Sequence, residues 1–314
     1  MDLATQAIRK RIMPKAIIDE IKTLCQEKNA IILAHNYQPT EIIVLADILG
    51  DSLQLSIEAA RSEAEIIVFC GVRFMAETAA ILNTKAKVLL PAETAGCPMA
   101  DMITAEQLRE YRRQHPDTVV VCYVNSTAEV KAESDICCTS SNAVKVLLSI
   151  PEDKRILFVP DQNLGRWAGR QAGREVELWN GYCPVHHWGF TSLQVKNLRK
   201  KYPEHRLLAH PECDEDIVDN ADAVMSTSGM VAEAETHDKL IIATEKGLTD
   251  YLSKLHPEKS IIPLSPRAIC RNMKKTTLHN VLDALRYEQH HITVEPEIAA
   301  GAKKSLQRMM ELIS

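Results

Sequence analysis

The sequence predicts an α/β protein built from three pseudo-threefold-related units, each a three-layer α/β/α domain with a short parallel sheet, and an active site at their common interface. Three observations predict it: a repeat of roughly 87 residues along a chain of 314, apolar runs that are continuous rather than alternating, and helical apolar spacing around each run. The repeat comes first, because self-similarity at a fixed period determines the architecture. A chain this long also exceeds what one hydrophobic core usually supports, and three such units fit the common domain range.

Each unit opens on an amphipathic helical pattern, PKAIIDEIKTLCQEKN, TAEQLREYRRQHPD and TSLQVKNLRKKYPE. Thr104 and Thr191 are the expected N-caps, Thr104 with Gln107 placed for a capping box. A β-branched run follows (AIILAH, TVVVCYV), unbroken as in strands buried on both faces of a parallel sheet. Then come a short helical stretch, a brief strand, another helix and a further strand (EIIVFCG, RILFVPD, KLIIATE). Such alternation makes right-handed βαβ crossovers, with ligands bound beyond the carboxyl ends of the strands. The units are expected at 1–100, 101–187 and 188–275, with two helices in 276–314 that break the repeat and pack on it.

A formal charge of -5 with interspersed signs and no Lys/Arg block gives no footprint for nucleic acid or an anionic membrane. No run approaches a membrane span, and the N-terminal stretch lacks the apolar core of a secretory signal. Nine cysteines are an odd number, and Cys70, Cys122 and Cys137 sit inside apolar runs. Both points argue against a secreted disulfide framework and for a reducing cytoplasm. Small-molecule chemistry is the expectation.

Superposing the units puts Cys97, Cys183 and Cys270 in one column, each in a loop after a strand-like run. A second column holds His35, Tyr123 and His210, with Tyr37, Asn125 and Glu212 two residues on. Asp47, Asp135 and Asp222 form a third, read as structural caps, and Ser52, Ser140 and Thr227 a fourth. The hydroxyl follows the His/Tyr column by 17 residues in every unit. Three thiolates from three units suit a metal centre. The short-spaced four-ligand set of structural zinc is absent; catalytic zinc with three ligands stays open, as does a [4Fe-4S] cluster leaving one iron free. Cys183 and His186 form a CxxH pair, but Ala100 and Met273 stand at the equivalent places, so His186 and His187 are assigned to the surroundings or the surface.

Each Ser/Thr column member reads singly as an N-cap, worth about 1 kcal/mol. Three helix N-termini meeting at a centre would also attract carboxylate or phosphate, which predicts a polyanionic substrate. Tyr37 and Glu212 are the proton-transfer candidates, and Asn125 suits a carbonyl or carboxylate.

The segments AHNYQ, GDSLQLS, AGCPMADM, YVNSTAEVKAESDICCTSSNA, PDQNLGRW, GYCPVHHWGF, HPECDEDIVDNADAVMSTSGM and CRNMKKTTL closely resemble the quinolinate synthase family, from about residue 31 to 285. The resemblance implies condensation of iminoaspartate with dihydroxyacetone phosphate to quinolinate, with release of phosphate and water, in de novo NAD biosynthesis. It implies a [4Fe-4S] cluster on Cys97, Cys183 and Cys270, whose fourth iron is a Lewis acid. The implied substrate residues are His35, Ser52, Tyr123, Val124, Asn125, Ser140, His210, Pro211, Glu212 and Thr227, and the implied catalytic residues Tyr37, His210 and Glu212. Some members carry a CxxCxxC run at the third ligand; here Leu264 and Arg267 occupy those places, which argues against that thiol-disulfide control. Iminoaspartate hydrolyses readily, so a supplying L-aspartate oxidase or aspartate dehydrogenase is implied. The rival readings are an aconitase-like iron-sulfur hydro-lyase on another polyanion and a non-catalytic iron-sulfur sensor. A nicotinamide-dependent dehydrogenase is disfavoured, since no G-x-G-x-x-G follows an early strand.

Overall fold

Continuous β-branched runs become the central strands of three sheets in the computed structural model, which describes residues 15–312. The stretch before Lys15, read above as lacking a secretory core, lies outside the described residues. In the first sheet the strands are β1 (Ala30–His35), β2 (Ile48–Gly50), β3 (Ile66–Cys70) and β4 (Lys87–Leu89). The second holds β5 (Thr118–Tyr123), β6 (Ile136–Cys138), β7 (Arg155–Val159) and β8 (Glu177–Leu178), and the third β9 (Arg206–Ala209), β10 (Ala223–Val224), β11 (Lys239–Ala243) and β12 (Ser260–Pro263). All pairings are parallel, and the order is the same each time: second strand, first, third, fourth. β3 is buried at every residue, as expected of a strand covered by helices on both faces.

The fourth strands were marked in the sequence only as strand-like runs before each cysteine loop. With two to four residues each, they carry no periodicity of their own. Helix starts follow the sequence closely. Thr104 with Gln107 and Thr191 with Gln194 form complete capping boxes.

The aspartate column has one role repeated three times. Asp47, one residue before β2, accepts the Ile32 N–H at 2.8 Å, while its own N–H donates to the Ile32 carbonyl. Asp135 does the same to Val120 at 2.8 Å and Asp222 to Leu207 at 2.7 Å. Each clamp locks the second strand to the first in register. Two clamps are braced by arginine from the unit's first helix, Arg112 bidentate to Asp135 and Arg199 to Asp222; Cys25 stands at the matching point of the first unit.

The last two helices pack differently from each other. Leu278–Tyr287 lies beside Lys15–Glu27 and buries Val281, Leu282 and Leu285 with Ile18, Ile21, Ile32 and Val68 over the first sheet. Pro296–Glu311 runs against helix Arg73–Leu82 of the first unit and against Ala128–Ala132 and β6 of the second. Gly301 permits that approach, since a Cβ there would stand 2.9 Å from the Ala132 Cβ. The buried Ser305 hydroxyl donates to the Lys131 carbonyl at 2.8 Å. Among the described residues no helix is long and apolar enough to cross a membrane.

Replacing Asp135 by alanine removes a charged acceptor from the Val120 N–H and from Arg112. A loss of about 2 kcal/mol is expected in urea unfolding of the metal-free chain.

Candidate active site

Parallel strands running the same way leave their carboxyl ends on one side, and there the three units line a single cavity of about 840 Å³. His35 is the last residue of β1, Tyr123 the last of β5, and His210 follows β9 directly. All three line the cavity, as do Ser52, Ser140, Thr227, Tyr37, Asn125, Glu212 and the three column cysteines. Val124 and Pro211 are buried beside them but are not among the lining residues.

The hydroxyl column does not cap helices. Asp51 caps Ser52–Arg61 and Ser226 caps Thr227–Thr236, so Ser52 and Thr227 are first helical residues. Ser140 sits two residues before Asn142, the cap position of Ala143–Leu148. The expected N-cap role is thus displaced by one or two residues: the Asp51 and Ser226 side chains serve the exposed N–H groups of the first and third units, while Asn142 makes no side-chain cap bond. Thr227 Oγ1 accepts from Asn36 Nδ2 of the first unit at 2.9 Å, and Ser141 of the second donates to Asp51 Oδ2 of the first at 2.7 Å.

Glu212 is the hub of the polar network. Tyr123 donates its hydroxyl to Oε1 at 2.6 Å, and His186 Nδ1 lies 2.6 Å from Oε2. Burial works to raise this carboxyl, but His186 and the Tyr123 hydroxyl outweigh it and hold it below the usual carboxylate range. Burial lifts the Tyr123 and Tyr37 hydroxyls well above their ordinary values, with Glu212 adding to both. It pulls His35 down to about 4 and His210 to about 3, so both imidazoles are neutral at pH 7. The Tyr37 N–H donates to His35 Nδ1 at 3.1 Å, which leaves the proton on Nε2. Asn125 offers Nδ2 to Glu212 at 3.5 Å, while its Oδ1 is buried with no protein partner.

Of the two places expected for His186, the surroundings of the centre or the surface, the structure gives it the first. It is 1% exposed, contacts Cys183 Sγ through Nδ1 at 3.2 Å, and holds Thr244 Oγ1 through Nε2 at 2.9 Å. The first turn of Pro184–Trp188 points it inward.

The cysteine loops share a local design. Cys97 sulfur accepts the N–H groups of Met99 and Ala100, Cys270 those of Asn272 and Met273, and Cys183 that of His186. Burial pushes the Cys97 thiol up to about 12 and raises the other two, and Cys183 is raised further by Glu212, then by Cys97 and Cys270. Two loops are also anchored by buried acids at strand ends. Asp161 accepts the Cys183 N–H at 3.2 Å, and Glu245 the Cys270 N–H at 3.1 Å. A backbone bond ties all three loops, Arg73 N–H to the Ala95 carbonyl, Gln162 to Gly181 and Lys246 to Ala268, and the first unit, with Val72 after β3, has only that bond. Three converging sulfurs, each supplied with N–H donors, fit an iron-sulfur centre, whose thiolates are tuned by such bonds.

A model of the family described as quinolinate synthetase A protein matches residues 19–311. The chain belongs to the quinolinate synthase family. It is 53% identical to the quinolinate synthase of Alkaliphilus metalliredigens over 94% of this chain and 98% of that protein. The Methanoregula boonei quinolinate synthase is 51% identical over 94% and 97%, and quinolinate synthase 2 of Methanosarcina acetivorans 47% over 95% and 96%. Relatives this similar over nearly the whole length make the chain an enzyme of this kind.

The residues that sequence reasoning passed over are Thr244, Asp161 and Glu245. The acids were visible as the charged residue closing two strand runs (RILFVPD, KLIIATE). Without the fold nothing tied them to loops some twenty-five residues away.

The neutral His35 gives a signed pH dependence. Unfolded, it titrates near 6.5; folded, near 4, so the unfolded chain binds the extra proton and stability falls as pH drops from about 6.5 to 4. The contribution at pH 5 is on the order of 2 kcal/mol. Unfolding of the metal-free chain at pH 7 and pH 5 is expected to differ by that much less in His35→Asn, which keeps an acceptor for Tyr37.

Proposed function

We propose that this enzyme condenses iminoaspartate with dihydroxyacetone phosphate to give quinolinate, phosphate and water, in the cytoplasm, for NAD biosynthesis. The observation that carries the reading is the meeting of three cysteine loops and three polar strand ends around one cavity in a chain of the quinolinate synthase family. Cys97, Cys183 and Cys270 would hold a [4Fe-4S] cluster. When bound, it would supply a Lewis-acidic iron with an open coordination position.

The chain's own residues account for binding and proton movement. Ser52, Ser140 and Thr227 stand at or just before helix starts, where hydroxyls and free N–H groups favour the phosphate and carboxylates of the two substrates. His35, neutral with its proton on Nε2, is a hydrogen-bond donor without charge. Asn125 Oδ1, buried and unpartnered, can accept from a substrate N–H or hydroxyl. Glu212 is the proton acceptor, being ionised and buried, and Tyr123 fixes its Oε1. Ring closure requires carbon-bound protons to be removed and hydroxyls to leave, which needs a base with a defined position. Tyr37 returns protons, with His210 assisting, through the hydroxyl cluster it forms with Thr244 and His186. A largely apolar lining surface limits loss of the imine to water. A supplying oxidase or dehydrogenase acting on L-aspartate would shorten its exposure further.

Anaerobic reconstitution with iron and sulfide analysis tests the cluster. Cys97→Ala, Cys183→Ala and Cys270→Ala are expected to lose the cubane, whereas Cys25→Ala and Cys213→Ala retain it. In the reconstituted enzyme, Glu212→Gln is expected to lower kcat by roughly 10²–10⁴-fold at unchanged iron content. Quinolinate formation from oxaloacetate, ammonia and dihydroxyacetone phosphate is the assay; an intact cluster without product would favour the hydro-lyase reading.

A further inference from the structure

Cys183, His186 and Glu212 bring one sulfur, one nitrogen and one oxygen within 4.8 Å of one another. We infer that the cluster-free chain carries a second, mutually exclusive metal site here, for a borderline divalent cation such as Zn²⁺.

Several features of the site converge on that ligand. Thiolate, imidazole and carboxylate with one open position are the donor set of three-ligand zinc centres. His186 Nδ1 faces two groups, Cys183 Sγ at 3.2 Å and Glu212 Oε2 at 2.6 Å. Tetrahedral zinc, with bonds of about 2.0–2.3 Å, would set neighbouring ligand atoms roughly 3.3–3.6 Å apart, so His186 and Glu212 need to part by roughly 0.7–1.0 Å and His186 and Cys183 by less than about 0.5 Å. The opposite ring nitrogen is already held by Thr244 Oγ1 at 2.9 Å, the outer contact that metal-binding histidines usually make. Glu212 keeps Oε1 on Tyr123, which leaves Oε2 for the ion. All three residues line the cavity, so the fourth position opens towards it.

Its nitrogen ligand is peculiar to the second unit, while Glu212 comes from the third. His186 lies three residues after Cys183 on one helical turn, whereas the repeat has Ala100 and Met273 there. The pseudo-threefold arrangement of sulfurs and this asymmetric triad therefore share one residue, Cys183. An ion in the triad withdraws it from any three-thiolate centre, and only this competition rests on the proposed function.

The test uses full-length chain prepared anaerobically without cluster, with Zn²⁺ alone as the probe in competition with a chromogenic chelator. Wild type, Cys97→Ala and Cys270→Ala are expected to bind a single equivalent tightly. Cys183→Ala and His186→Gln are expected to lose that binding, and Thr244→Val to weaken it roughly 10–100-fold. Co²⁺ in the wild type, which needs no variant to fold, is expected to show tetrahedral absorption with the charge-transfer intensity of one thiolate. Zn²⁺ preloading should lower iron uptake during reconstitution of wild type but not of His186→Gln. Absent stoichiometric binding, binding lost equally in Cys97→Ala, a three-thiolate cobalt spectrum, or iron uptake indifferent to zinc would each overturn the inference. Failure of reconstituted enzyme to make quinolinate would instead count against the proposed function and leave this site untouched.

Discussion

The direction shared by the strands of each parallel sheet is the constraint on which the site depends. Because every pairing is parallel, each sheet ends its first strand, its second-strand helix and its cysteine loop on the same side. Three such sheets facing one another make a cavity whose walls are strand ends and helix starts, the parts of a backbone that carry unused hydrogen-bonding groups. The aspartate clamps maintain this alignment: by taking the N–H of Ile32, Val120 or Leu207, each stops the short second strand from slipping. A one-residue slip would turn Ser52, Ser140 or Thr227 to the other face.

Pseudo-symmetry supplies positions, and divergence supplies chemistry. Tyr37, Asn125 and Glu212 are equivalent in the repeat, yet one is a phenol, one an amide and one a carboxylate. Their environments separate them further. Tyr37 is tied to Thr244 and His186, Glu212 is ionised between His186 and Tyr123, and Asn125 keeps a buried oxygen free. An asymmetric network on a symmetric frame suits substrates that have no threefold symmetry.

The three cysteine loops show the same division. Backbone N–H groups reach each sulfur, a geometry that follows from the tight turn after the cysteine. Anchoring differs: one backbone bond holds all three loops, and Asp161 and Glu245 add a side-chain anchor to the second and third. A buried carboxylate is costly unless its oxygens are occupied. Glu245 is satisfied by the Gly247 and Cys270 N–H groups and by Lys274.

Much of this was legible in the chain alone. The threefold repeat, parallel sheets, capped helices and the membership of the cavity follow from period, composition and column, since these signals are local or repeat at fixed spacing. Sequence reasoning misjudged what depends on approach from another unit. It left His186 open between the surroundings of the centre and the surface because its column lacked equivalents, whereas Thr244 and Glu212 of the third unit hold it beside Cys183. It gave Ser52 and Thr227 the caps that Asp51 and Ser226 provide, a one-residue choice made by backbone geometry rather than residue type. Sequence by itself therefore determined which residues stand at strand ends, because hydrophobic period and repeat offset encode that; tertiary structure alone decided which of them touch, because contacts across units are set by how three separate sheets pack.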